Sequence, residues 1–245
     1  MNIGKAFSFV FDDEQWIAKI LIGAAILLLG VLFSWVLLIP LVVALALLGG
    51  YSLEITRRVI QGNPDGLPEW DDWGKLLADG LKVLVIGIVY ALPMILVGLC
   101  LGIPVGVLAE EAPGWSSTLS LLLNCIGLLY AIALSLVLPA AIAFFAAEDD
   151  LGAAFRFGDV FSFVGDNLAT YIVTFLMSWV ASFVGSLGSL VCGVGWFLTF
   201  PYSYMVIGHL YGQAYVEGRA NVPAPAAEDV ELLVEPEEIE PTESE

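Results

Sequence analysis

Residues 19–54 read KILIGAAILLLGVLFSWVLLIPLVVALALLGGYSLE, and no charge interrupts the 34 positions between Lys19 and Glu54. As a single helix they would be about 51 Å long at 1.5 Å per residue. The hydrocarbon core of a bilayer is only ~30 Å thick. Two helices joined near Ser34-Trp35 fit better, at roughly 16–33 and 36–60. This hairpin implies an all-α integral membrane protein. The composition points the same way: 59% hydrophobic, 14% charged and a mean hydropathy of +0.91, where a soluble domain carries about a quarter charged residues.

Working outward, a third span is expected from Lys82 to Gly102, bent at Pro93, followed by a loop at Glu110, Glu111, Pro113 and Gly114. A fourth covers 117–147 and carries Pro139. It is long enough to require a tilt or a kink, with a re-entrant piece as the alternative. Residues 167–216 hold a fifth and a sixth span, broken near Val191-Cys192-Gly193-Val194-Gly195. With six spans, Lys5, Lys19, Arg57, Arg58, Lys75, Lys82, Arg156 and Arg219 all fall on one face, and the three opposite loops hold no Lys or Arg. The positive-inside rule makes that face cytoplasmic, with both termini inside the plasma membrane. No early apolar stretch is followed by a small-residue cleavage site, so the first span is expected to direct insertion. A net charge of −18 argues against nucleic-acid binding, which needs basic patches.

Gly4-x-x-Phe7-Ser8-Phe9-Val10-x-Asp12 recurs as Gly158-x-x-Phe161-Ser162-Phe163-Val164-x-Asp166, with a constant offset and a two-span hairpin after each copy. The expected architecture is a six-transmembrane-helix bundle over 1–220, built from repeated units of an interfacial amphipathic helix plus a helical hairpin. The first repeat covers about 4–62, a middle hairpin about 68–147 and the second repeat about 158–218. Four spans separate the copies, so they share one orientation. A third interfacial helix is read at 68–84, with Pro68 at N1 and Trp70, Trp73, Leu77, Leu81 and Leu84 on its apolar face. Trp70 and Trp73, with Lys19 and Lys82 snorkelling from the span ends, are expected to anchor the interface.

Gly50-Tyr51, Arg57-Arg58, Leu67-Pro68-Glu69-Trp70-Asp71-Asp72-Trp73 and Asp79-Gly80-Leu81-Lys82 carry a resemblance to a known family, as does Ala153-Ala154-Phe155-Arg156-Phe157-Gly158. In these residues the chain resembles domain-of-unknown-function family 4013. That resemblance implies a multi-span membrane protein of a bacterium or archaeon. It implies no catalytic residues.

Ionisable groups inside spans are costly and draw functional attention first. Glu54 and His209 qualify, and the repeat makes them near-equivalent. Either they face a shared cytoplasm-facing cavity, or Glu54 pairs with Arg57 or Arg58 while His209 bonds a backbone carbonyl. Asn124 in the fourth span either bonds a neighbouring helix or lines a pore, which makes it a third ligand-binding candidate beside Glu54 and His209. Small residues at four-residue spacing are read as helix packing: Gly98 and Gly102 with Gly106; Ala181, Gly185, Ser189 and Gly193; Gly208 and Gly212. Cys100 and Cys192 serve either as a disulfide or as small apolar residues. Residues 228–245 hold nine acids and no base. Such a stretch is expected to form a disordered cytoplasmic tail within 221–245, serving as a solubiliser or as a docking segment for a cytoplasmic protein. No nucleophile–base arrangement, phosphate loop, metal set or cofactor motif is visible. Two classes remain: a structural or assembly protein contacting membrane lipids, partners or its own copies, and a carrier of a small or lipid-like solute.

Overall fold

The computed structural model describes residues 1–35, 38–190 and 193–221, and every element among them is helical. The order is α1 (Ile3–Ser8), a short 3-10 turn (Phe9–Asp12), α2 (Trp16–Phe33), α3 (Ile39–Ile60), α4 (Trp73–Val97), a π-turn (Gly98–Gly102), α5 (Ile103–Glu111), α6 (Pro113–Glu148), α7 (Leu151–Ala154), α8 (Phe157–Asp166), α9 (Leu168–Leu187) and α10 (Trp196–Asn221). Five segments are long and apolar enough to cross a membrane: α2, α3, the run Trp73–Ala109, α6, and Leu168–Leu190. These fit a multi-pass membrane protein. The acidic tail and Cys192 lie outside the described residues, and with them the disulfide alternative for Cys100 and Cys192.

α10 falls outside that set because Tyr202, Ser203, Tyr204, His209, Tyr211 and Gln213 lower its apolarity. It is nonetheless an interior helix, packed on α2, α3, α6 and α9. Small residues permit the packing. A Cβ on Gly208 would lie 2.4 Å from the Ser52 carbonyl oxygen, and one on Gly212 would lie 2.6 Å from Val59. Gly185 sits as closely on Ser203. Ser52 Oγ donates to the Tyr204 carbonyl (2.8 Å) and Thr56 Oγ1 to that of Gly208 (2.9 Å), tying α3 to α10 through hydroxyls that need a protein acceptor away from water.

α3 and α4 approach most closely. A Cβ on Gly80 would stand 1.6 Å from the Ala46 carbonyl oxygen, and one on Gly50 would stand 1.9 Å from that of Leu76. Only hydrogen at both positions lets the backbones meet. α4 keeps contact with the rest of the bundle as far as Ile95: the Tyr90 hydroxyl donates to the Ala154 carbonyl (2.8 Å), and Ala91 and Ile95 line a cavity together with Phe200 and Tyr204 of α10. Beyond Ile95 the α4–α5/α6 hairpin continues without the rest of the bundle. α5 packs on α6 and the π-turn, and among the described side chains between Ala91 and Leu136 only those of Val105 and Ser116 are buried.

Several expectations need correction. Residues 68–84 are not a separate interfacial helix. Asp72 caps α4 by accepting from the Lys75 amide (2.9 Å), and α4 runs on through Pro93. Pro68 is not N1, because α4 begins at Trp73; the Pro68 carbonyl accepts from the Tyr51 hydroxyl (2.8 Å) and the Leu67 carbonyl from Lys19 Nζ (3.1 Å). α5 reaches Glu111 and α6 starts at Pro113, so the expected loop shrinks to Ala112. α6 continues through Pro139 as one helix of 36 residues, which removes the re-entrant alternative.

Candidate functional site

Apart from Glu110 and Glu111 of α5, the charged residues of the helices gather at one end of the bundle, where many form ion pairs that join different elements. At the centre is Arg57 on α3, 6% exposed. Its Nη1 bonds Asp79 of α4, itself 4% exposed, at 2.5 Å, and its Nη2 bonds Asp149 at 2.5 Å. Asp149 reaches it because it ends α6 in the left-handed conformation (φ 53°), which Asp tolerates better than most residues. Lys82 closes on Asp79 at 3.2 Å, and the Arg57 guanidinium and Lys82 ammonium both lie over the Phe145 ring, 5.6 and 5.4 Å from its centroid. Three helices are thus joined by one planar fork with two carboxylates, a geometry suited to Arg.

A second cluster joins the entry of α2 to the segment before α4. Lys19 Nζ contacts Asp13 (2.9 Å), Glu69 (2.5 Å) and the Leu67 carbonyl. Trp70 stacks on Tyr51 with centroids 4.1 Å apart, and its indole N–H donates to the Lys19 carbonyl (3.3 Å). Lys19 and Trp70 are therefore both buried in this cluster. Trp73 and Lys82 keep substantial exposure.

Burial pushes the Asp13 carboxyl up, but hydrogen bonds from Lys19 and from the Leu67 and Gln15 amides outweigh it and hold the group below its ordinary value. A depressed carboxyl stabilises the fold above the unfolded pKa of about 3.9 and loses that contribution as pH falls through the folded value. Asp13→Asn should cost about 1–2 kcal/mol at neutral pH and flatten the acid limb of thermal stability measured in detergent. An unchanged acid limb would show that Asp13 carries none of it.

Glu54 and His209 do not meet. Glu54 binds Lys75 (2.9 Å) and Arg57 (3.5 Å) at the edge of a charged cleft that also includes Arg58, Glu69 and Asp72. His209 is fully buried with Phe9 against its ring, 4.4 Å between centroids. Its Nε2 donates to the Pro64 carbonyl (3.2 Å), and its Nδ1 accepts from Gln213 Nε2 (3.1 Å). Gln213 in turn holds both backbone groups of Asn2. One ring nitrogen ties α10 to the α3–α4 connection, and the other, through Gln213, ties it to the residue that caps α1.

Asn124 bonds its own helix, donating to the Ser120 carbonyl (2.7 Å), and lines an open groove of about 670 Å³ along the distal hairpin. Gly98, Gly102 and Gly106 line the same groove, and a Cβ on any of them would meet nothing within 4 Å. These glycines make no close packing within the chain. Ser189 is exposed and bonds Ser186, while Gly188 takes the close contact with Gly195 and Thr199. Ala181 is fully buried. Gly50 and Gly80, the tightest contacts, were missed as packing residues although both lie in quoted motifs. Among the described residues no group of three or more His, Cys, Asp or Glu is placed to hold a metal ion.

The family model for proteins of unknown function DUF4013 matches residues 32–194, from the end of α2 to the loop before α10. The chain belongs to this family. No curated protein and no solved structure matches it. The residues that carried the resemblance are the α3–α4 joint itself: Gly50 against Leu76, Gly80 against Ala46, Tyr51 on Trp70, and Arg57 on Asp79. They hold the fold together, and this explains why no reaction could be read from them.

Proposed function

We propose that this protein is a non-enzymatic structural or assembly component of a prokaryotic plasma membrane, which engages another membrane-spanning helix through its α4–α5/α6 hairpin. The observation that carries the reading is the unaccompanied distal hairpin, with its open groove of Gly98, Gly102, Gly106 and Asn124. Small residues in such a groove let a second helix approach closely, and an amide adds an interhelical hydrogen bond of ~0.6–2 kcal/mol. At about 55 Å for 37 residues, the hairpin is also far longer than crossing ~30 Å of hydrocarbon requires.

In this reading α10 is the sixth span and both termini are cytoplasmic. Two observations support it: the charged clusters gather at one end, and α10 packs antiparallel to α9, with Gly185 against Ser203. The order α1–α2–α3 and α8–α9–α10 supports the two-copy repeat, with Ser52–Tyr204 and Thr56–Gly208 as its in-register seam. The acidic segment 228–245 serves as a second, cytoplasmic contact. A carrier built on Glu54 and His209 gains no support from their geometry, since each is engaged elsewhere.

A photo-cross-linking amino acid placed at Ile103 or Leu121, both well exposed on the hairpin, should trap a protein adduct in intact cells. The same probe at Leu29, an exposed position on α2, should trap lipid alone. Equal, lipid-only products at all three positions would remove the basis of the reading.

A further inference from the structure

α3 packs on both α4 and α10, yet those two helices share no extended contact. Between them lies a cavity of about 610 Å³, floored by α3. Gly87, Ala91 and Ile95 line it from α4 at four-residue spacing, and Phe200, Tyr204 and Tyr211 line it from α10. The volume lies within the roughly 300–1,000 Å³ typical of small-molecule sites, and so does the character: mostly apolar walls with a few polar groups.

The two tyrosines supply the polar groups. Tyr51, Tyr90, Tyr130 and Tyr202 each donate their hydroxyl to a backbone carbonyl. Among the described residues the hydroxyls of Tyr204 and Tyr211 have no such partner, and both side chains are half-buried on the wall of the cavity. Tyr211 stands toward the charged end of α10, and Phe200 and Ile95 toward the other end, so polarity is graded along the slot. Ile88 and Ile95, exposed on α4, open it sideways to the hydrocarbon.

We propose that this slot binds a single membrane lipid. One hydrocarbon chain lies along Ala91, Ile95 and Phe200, and an oxygen of its linkage or headgroup accepts from Tyr204 and Tyr211. The site requires only that the helices stand in a membrane, so it holds or fails independently of the hairpin's role.

The test uses the full-length protein in phosphatidylethanolamine vesicles doped with a phosphatidylglycerol whose acyl chain carries a diazirine, with adducts mapped by peptide mass spectrometry. Wild type should label preferentially on α4 and α10. A Cβ on Gly87 meets nothing within 4 Å, so Gly87→Leu fills the slot without a clash and improves helix propensity. It should lose about tenfold of that labelling, the loss expected from occupying a pocket, while its Tm stays at or above wild type. Gly98→Leu, equally open but outside the slot, should label like wild type. The double variant Tyr204→Phe/Tyr211→Phe should show a smaller loss. Labelling spread evenly over all helices, or unchanged in Gly87→Leu, would overturn the site. Unchanged labelling in the tyrosine pair would overturn its polar contacts.

Discussion

Arg57→Ala is expected to destabilise the fold by about 3–5 kcal/mol, the cost of breaking a buried ion pair from one side. The loss exceeds that of one hydrogen bond because Asp79 is left buried with Lys82 alone and Asp149 loses its contact across to α3. Arg57→Lys should recover little, since a lysine supplies one point charge where the guanidinium forks between two carboxylates. The double variant Arg57→Leu/Asp79→Leu should regain most of the loss, because apolar replacements of a buried pair are often neutral. Arg58→Ala, one position along, removes a cation with no ion pair among the described residues and should stay within about 0.5 kcal/mol. Thermal unfolding in detergent separates the four. A fall in Arg58→Ala equal to that in Arg57→Ala would mean that charge number, not the Asp79 contact, is what matters.

Gly80→Ala carries the second large effect. Alanine is the better helix former by about 1 kcal/mol, so propensity alone predicts a gain. Its methyl would stand 1.6 Å from a backbone oxygen of α3, and a backbone cannot rotate aside as a side chain can. Overpacking of this kind costs about 1–3 kcal/mol and sometimes more, so a net loss of roughly 2 kcal/mol is expected. Gly98→Ala meets open space and should hold or raise the Tm. If both glycines respond with the same sign, α3 and α4 do not cross at Gly80.

The contrast between these glycines shows how far the sequence could be read. Four-residue spacing of small residues marked Gly98 and Gly102 as well as Gly185, Gly208 and Gly212. Spacing locates a face but not the element opposite it. The last three face other helices; the first two face nothing in the chain. Gly80 stands apart from any stripe and Gly50 pairs only with Ala46, and the contact between them depends on how two separate helices cross. Trp70 was misassigned because amphipathic periodicity extends back past Asp72, whereas hydrogen bonds from Tyr51 and Lys19 to the Pro68 and Leu67 carbonyls hold that segment out of the helix. Glu54 and His209 attracted attention as ionisable groups, and the residues that satisfy them (Lys75, Gln213, Pro64) come from three different places. Strong hydropathy made the first four spans legible. α10 was read from the charge-free run 167–216 and its glycine break, but the partners of its tyrosines and histidine come from neighbours that no local window contains.

The most direct test of the assembly role is native mass spectrometry of the protein extracted from its own membrane in lipid particles, full-length and as Gly102→Leu. The substitution fills the hairpin groove where a Cβ meets nothing within 4 Å, so it leaves the chain's own packing intact. The prediction is a stoichiometric complex, with a second copy or another membrane protein, that is lost in Gly102→Leu and retained in Gly87→Leu. A monomer in every sample, or a complex indifferent to Gly102→Leu, would contradict the proposal that the hairpin is built to hold a partner.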